Sequence, residues 1–314
     1  MSDASEVGVL YTEHSRLSAM TPVASLWSYE TSTRGLHRRS ISVNPDGSHE
    51  YWLRRSDPLL NTILPGTGVS LVVNFGDLWT AGRSLVTSAF LPRVCVVGPV
   101  TRPRILRVGR SVHAIGAVLP ATLTSSVFNV PATELVDRIM PLQDLWGRDD
   151  VERLIASPPP LQIRRCLSAL KDDLVTRIRR STGVEPAWHE APRIIQVRAG
   201  RVSIAGMAGS HGLSRQQFAA RFGAAAGLRP KLFARITRFH SLVNALLSTP
   251  VSQWASVCSN VGFYDQAHMI NEFRTFTGCS PTVFFRPHDS NIDPALVQVR
   301  GRPSEWLLHP PNPV

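Results

Sequence analysis

One stretch of this chain is written twice. Residues 212–230, GLSRQQFAARFGAAAGLRP, and residues 262–281, GFYDQAHMINEFRTFTGCSP, fall into register when aligned on Ser214 and Asp265. Counted from those anchors, position +4 is Phe218 or Met269, +8 is Phe222 or Phe273, +13 is Gly227 or Gly278 and +16 is Pro230 or Pro281, each pair 51 residues apart. Such a repeat limits the fold sharply, because both copies must satisfy one local geometry. Ser and Asp are good N-caps, since their side-chain oxygens accept a hydrogen bond from an otherwise unpaired amide of the first turn. The apolar residues at +4 and +8 share one helix face, which must be the buried one, and the glycine at +13 suits a left-handed stop. Positions +1, +2, +5 and +6 are then left facing outward.

Upstream of each copy lies a second short helical pattern, in VSIAGMAGSHGL and VSQWASVCSNVGFY. Ala208 and Cys258 stand four residues before the turn glycines Gly212 and Gly262. A small residue there lets two helices cross closely, so each copy reads as a helix-turn-helix. Between the copies, PKLFARITRFHSLVNALLS starts with Pro230 at an N1 position and repeats apolar residues at helical spacing (Leu232, Phe233, Ile236, Phe239, Leu242, Val243, Leu246). This predicts a linking helix of about five turns at roughly 3.6 residues per turn.

On these residues the segment from about 190 to 286 resembles the DNA-binding module of the AraC/XylS family of bacterial transcription regulators. The second copy carries most of the likeness, close to the family signature in order and spacing. The resemblance and the spacing together place the base-facing residues at Arg215, Gln216, Ala219 and Ala220 in the first copy, and at Gln266, Ala267, His268, Ile270 and Asn271 in the second. Arg221 and Arg274 complete the expected DNA-binding set. Gln266 and Asn271 can pair with adenine, Arg215 can pair with guanine or anchor a phosphate, and Ala or Ile can only contact thymine methyls or pack. The first copy departs from the family, many of whose members carry a basic residue where this chain has Ala220. Base reading is therefore expected mainly from the second copy.

Charge agrees with a nucleic-acid partner. Residues 1–160 hold 15 Lys+Arg against 14 Asp+Glu, whereas residues 161–314 hold 19 against 9, so nearly all of the chain's +11 falls on the half that carries the repeat. That is the distribution phosphate neutralisation requires. The start, MSDASEVGVL, lacks a basic segment followed by an apolar run, and no stretch approaches the eighteen or so apolar residues that span a bilayer. A cytoplasmic protein without membrane contact is expected. Cys95, Cys166, Cys258 and Cys279 are scattered without a C-x-x-C pair, which reads as reduced, mostly buried thiols.

The front of the chain has another texture. GVSLVVNFG, RVCVVGPV, RILRV and SVHAIGAVLP are short β-branched runs broken by Gly and Pro, the pattern of an antiparallel barrel or sandwich. From Pro120 the pattern turns helical in ATLTSSVF, PATELVDRIMPLQDLWG and PPPLQIRRCLSALKDDLVTRIRRS, and RRSTGVEPAWHEAPR reads as a linker. The stretches ILPGTGVSLVVNFGD, VVGPVTRPRIL and FNVPATELVDRIMPLQDLWG are similar to a small cupin-like sensing domain that precedes this DNA-binding module in many bacterial regulators. His37, His49 and His113 lack the H-x-H spacing of a cupin metal site, so no metal and no cofactor are expected. His113, on an apolar strand, reads as a hydrogen-bonded core residue.

The expected fold is therefore α+β: an N-terminal β-barrel or sandwich with flanking helices, and an all-α double helix-turn-helix joined by a long linking helix. Residues 1–180 form the sensing or oligomerisation domain (barrel to about 120, helices 120–180), 181–192 the linker, 193–286 the DNA-binding domain and 287–314 a tail. The expected function is sequence-specific, non-enzymatic transcription regulation, with two recognition helices in successive major grooves about 34 Å apart. Double-stranded DNA is the expected partner, with RNA polymerase if the protein activates, a small-molecule effector for the N-terminal domain, and a second copy of the chain as further candidates. Two rival readings stay open. One is a regulator that acts mainly through protein partners, its DNA reading weakened. The other is a DNA-alkylation repair enzyme, because the same module occurs fused to such domains.

Overall fold

The structure is a computed structural model. It describes residues 8–16, 25–32, 52–54, 60–109, 111, 113–156, 163–181, 186–247 and 249–285. His37, His49 and the expected tail from residue 287 lie outside the described residues.

The N-terminal part contains strands β1 (Gly8–Arg16), β2 (Ser25–Ser32), β3 (Trp52–Arg54), β4 (Leu60–Ile63), β5 (Gly68–Asn74), β6 (Thr80–Gly82), β7 (Ala89–Phe90), β8 (Val94–Val97), β9 (Arg104–Arg107) and β10 (His113–Pro120). Helices α1 (Thr124–Phe128) and α2 (Ala132–Leu135) follow, then strand β11 (Ile139–Pro141), then α3 (Gln143–Trp146), α4 (Arg148–Ile155) and α5 (Ile163–Arg180). The strands form two antiparallel sheets, ordered β1-β2-β10-β5-β8-β11 and β3-β4-β9-β6-β7. Both are open, so of the two architectures the sequence allowed, the closed barrel is not the one adopted.

Period-2 alternation explains the layering. On the central strands, Val69, Leu71 and Val73 of β5, Val94 and Val96 of β8, and Ile115, Ala117 and Leu119 of β10 share one face and pack against helical residues such as Phe128, Leu135, Leu170 and Leu174. The alternate residues Val72, Cys95, Ala114 and Val118 face the second sheet, where they meet Ala81 and Leu106. A strand buried on both faces is apolar at most positions, which is why GVSLVVN, despite its buried Ser70 and Asn74, and VCVV read as apolar runs rather than as alternation. Each fully buried Val or Leu contributes about 1.5–3 kcal/mol relative to exposure.

Three expectations need correction. Ile139–Pro141, read as part of a helical segment, is a strand that pairs with β8, matching Met140 to Val96. Residues 186–192, read as linker from their prolines, belong to helix α6 (Pro186–Val197), which contains Pro192 and buries Trp188, Ala191 and Ile195 in the C-terminal core. His113 is half-buried, and its Nδ1 has no hydrogen-bond partner among the described residues. Of the thiols, Cys95, Cys166 and Cys258 are buried and Cys279 is half-buried.

The C-terminal part continues with α7 (Ile204–Ser210), α8 (Arg215–Ala226), α9 (Pro230–Leu247), α10 (Trp254–Val261), α11 (Gln266–Thr277) and α12 (Pro281–Phe284). The linking helix α9 has the five turns expected and serves both copies with aromatic residues from one buried stripe. Phe233 meets Phe222 edge-on at 5.4 Å, and Phe239 meets Phe273 at 5.5 Å and Phe276 at 5.1 Å. Such ring pairs add about 0.5–1.5 kcal/mol each beyond the area they bury.

Candidate nucleic-acid interface

Each recognition helix starts where the capping residue dictates. Ser214 Oγ accepts from the Gln217 amide at 3.2 Å, and Gln217 Oε1 accepts from the Ser214 amide at 3.0 Å, which closes a capping box on α8. The signal for it, Ser followed three residues on by Gln, stands in the sequence and belongs with the anchor. On α11, Asp265 Oδ1 accepts from the His268 amide at 2.7 Å. Both helices stop at a left-handed glycine, Gly227 at φ 76° and Gly278 at φ 84°. The turn glycines Gly212 and Gly262 also have positive φ, a conformation that Gly adopts without steric cost.

The inward face is the expected one. Phe218, Phe222, Met269 and Phe273 are buried, as are the crossing residues Ala208 and Cys258. Outward, Arg215, Gln216, Ala220 and Arg221 are exposed on α8, with Ala219 half-buried. On α11, Gln266, Ala267, His268, Asn271 and Arg274 are exposed, while Ile270 is half-buried and packs against the helical core. His268 also sets its ring edge-on to Phe263 at 5.5 Å. Among the described residues, no hydrogen bond holds the side chains of Arg215, Gln216, Arg221, Gln266, Asn271 or Arg274. Those groups are thus solvated and able to exchange water for a base edge or a phosphate.

Sequence reasoning missed several residues at and behind this surface. Tyr264, in the turn before α11, is 93 % exposed and offers a phenolic hydroxyl beside the Asp265-capped helix start. Nothing in the apolar pattern distinguishes it from a core aromatic. Glu272, half-buried on α11, accepts two hydrogen bonds from Arg235 of α9, from Nε at 2.9 Å and from an Nη at 2.7 Å. The pair holds the Arg235 guanidinium above its ordinary range, with the hydrogen bond to Glu272 as the main cause.

The surroundings of the two copies differ. Helix α2 of the N-terminal part lies against α8, so closely that a Cβ at Gly227 would sit 2.9 Å from the Ala132 carbonyl oxygen. His189 Nδ1 of α6 lies 3.0 Å from Thr122 Oγ1 in the 3-10 turn Ala121–Leu123. Leu64 is buried in the C-terminal core, and the next residue, Pro65, accepts a 2.6 Å hydrogen bond from Nε2 of His240 on α9. His240 is 2 % exposed, and burial holds its imidazole down at about 4, only partly offset by the bond to Pro65. It is a neutral histidine locked into the contact between the two parts of the chain. The second copy packs on α9 through α10 and α11.

Among known proteins, a family described as a helix-turn-helix domain matches residues 207–287. Solved structures similar to this chain include ToxT from Vibrio cholerae O395, 7 % identical, covering 75 % of this chain and 95 % of that one with a TM-score of 0.40. Unsaturated fatty acid-bound wild-type ToxT from Vibrio cholerae strain SCE256 is 8 % identical and covers 83 % of this chain and 93 % of that one, with a TM-score of 0.39. The AraC-like transcriptional activator CuxR is 13 % identical over 75 % of this chain and 82 % of that one, with a TM-score of 0.24. No curated protein matches the chain in sequence.

Proposed function

We propose, from the premise that residues 207–287 are an AraC-type helix-turn-helix domain, that this DNA-binding regulator of transcription is sequence-specific and places α8 and α11 in successive major grooves on one side of a duplex. The observation that carries the reading is the duplication itself. Two N-capped helices of equal length turn Phe218 and Phe222, or Met269 and Phe273, into one core and leave a polar N-terminal face free. Helix N-termini are where base and phosphate contacts are made in this kind of docking. Asn271 and Gln266 supply the base reading; Arg215, Arg221 and Arg274 supply phosphate contacts and, for Arg215, a candidate guanine contact.

On this reading residues 193–286 bind DNA, and residues 1–180 sense a small-molecule effector or bind a second copy. The contacts of Leu64 with the C-terminal core, of Pro65 with the linking helix and of α2 with α8 support a route by which the front of the chain biases DNA binding. If the regulator activates, RNA polymerase is the partner it must reach, and the cytoplasm is where both are found. No helix among the described residues is long and apolar enough to cross a membrane. The repair-enzyme alternative asks for a zinc-bound cysteine cluster in the N-terminal part, where Cys95 stands nearly alone with Cys166 far off in sequence. Cys95 is 1 % exposed between the two sheets, and burial pushes its thiol up to about 12, which keeps it protonated and out of reach.

Footprinting of the full chain on the DNA around its own gene tests the proposal. Two protected patches about one helical turn, roughly 10 base pairs, apart are expected. Binding that ignores sequence, or a single patch, contradicts a bipartite reader.

A further inference from the structure

A regulator that reads two half-sites must hold its two recognition helices at one separation and one rotation. The linking helix gives the separation, but a single helix packed between two small subdomains leaves their rotation to side-chain contacts. Three arginines cluster at that junction. Arg201, just before α7, donates from Nη1 to the Asn260 carbonyl at 3.0 Å, near the end of α10. Its Cδ lies so near the second turn that a Cβ at Gly262 would approach it to 2.8 Å. Arg238 of α9 donates from an Nη to the Gly200 carbonyl at 3.0 Å and sets its guanidinium 5.8 Å from the Phe263 ring. Arg235, one turn earlier on α9, forks onto Glu272 and lies 5.4 Å from the Phe276 ring.

Together these contacts tie the turn that precedes the first copy, the linking helix and the second copy into one joint. The joint is electrostatically unbalanced. Burial lowers the Arg238 guanidinium below its ordinary range; Glu272 opposes that shift, and Arg201 and Arg235 add to it. Arg238 Nε is buried without a hydrogen-bond partner among the described residues. Glu272 is the carboxylate that pairs with Arg235 and offsets Arg238, and it sits on the helix that carries Asn271. A charge partly withdrawn from water and left without its partner is costly, so the joint depends on Glu272 staying in place.

We propose that Glu272, held by the Arg235 fork on α9, is a positioning residue that fixes the rotation of α11 relative to α8 and so sets the half-site spacing the chain accepts. The inference rests on the bipartite DNA reading. One inserted base pair moves the second half-site about 3.4 Å along the duplex and turns it by about 35°, a displacement that a rigid joint penalises and a loose one tolerates.

The test uses the full chain and the duplex site that wild type selects from a random pool. Affinity is measured for that site, for variants with one base pair added or removed between the halves, and for the α11 half-site alone. Glu272→Gln should lose about tenfold on the intact site and most of the discrimination against altered spacing, while keeping its half-site affinity, as expected for loss of coupling between sites. Arg235→Lys, which keeps the charge but not the fork, should show the same change in smaller measure and carries the test if circular dichroism finds Glu272→Gln unfolded. If the folded variant weakens on all duplexes in parallel, or keeps the wild-type spacing profile, the joint does not set spacing and the proposal fails. Wild type without any spacing preference overturns the bipartite reading itself, and the joint with it.

Discussion

The two helix-turn-helix copies share a backbone plan and almost nothing of their surroundings. Each has its N-cap, its pair of buried residues four apart and its left-handed glycine stop. Helix α8, however, is small along much of its length, with Ala219, Ala220, Gly223, Ala224, Ala225 and Ala226, and α2 packs against it. Helix α11 presents Gln266, His268, Asn271 and Arg274 to solvent and is braced from behind by Arg235. The comparison teaches that a repeated core does not imply a repeated task. Small residues on α8 allow the close approach of Ala132 and Val136 next to Gly227, which long polar side chains would obstruct. On the proposed function, the first copy connects the two parts of the chain and the second reads bases.

The most disruptive way to probe this comparison is to empty each core. Phe222→Ala and Phe273→Ala each remove a fully buried ring, at a cost of about 3–5 kcal/mol. Thermal unfolding should show both. Because α8 is packed against α2 of the N-terminal part, Phe222→Ala should also loosen that contact, detected as faster proteolysis near Ala132. A Phe273→Ala chain with wild-type melting would contradict the buried face assigned here.

Acid should act next, at the contact between Pro65 and the linking helix α9. The His240 imidazole is lowered in the folded chain to about 4, from about 6.5 when unfolded, so the unfolded chain binds more protons between those values. Stability that depends on neutral His240 is complete above about pH 6.5 and falls as pH drops toward 4, by at most about 3 kcal/mol. Urea unfolding from pH 7 to pH 4.5 should show this loss in wild type and lose part of it in His240→Gln. Identical pH profiles would mean that the histidine does not report on the contact with Pro65.

Smaller effects separate reading from anchoring. Asn271→Ala should cost about 1–3 kcal/mol on the specific site and little on nonspecific DNA, and Gln216→Ala should cost less. Arg221→Ala should weaken specific and nonspecific binding alike and lower the salt slope by about one, since its place beyond the groove-facing positions suits a phosphate. Titrations at several salt concentrations distinguish the two. A salt slope near zero for wild type would mean that the basic half does not dock on DNA.

What the sequence revealed of this arrangement was what is local. Ser214, Asp265, Gly227 and Gly278 act within a turn of where they stand, and Phe218, Phe222, Met269 and Phe273 follow a helix period, so caps and core were legible. The doubly buried strands β5, β8 and β10 were legible as apolar runs, but whether two sheets close into a barrel depends on pairings between distant segments. Ile139–Pro141 becomes a strand because β8 offers it an edge, which its own three residues do not encode. In α6, Pro186 and Pro192 masked a helix that Trp188, Ala191 and Ile195 hold in place through the core. The pairs Arg235–Glu272 and His240–Pro65 join residues 37 and 175 positions apart, beyond the reach of any local pattern. Ala219 and Ala220 mark a departure from the expected reader in the sequence.

The division of labour between the copies is tested most directly by selecting preferred sites from randomised duplexes with wild type, Asn271→Ala and Gln216→Ala side by side. Reading by α11 predicts that Asn271→Ala loses the preference at one base pair of the selected site, while Gln216→Ala returns the wild-type sequence nearly unchanged. Loss of the preference in Gln216→Ala with its retention in Asn271→Ala would make α8 the reader and contradict the account.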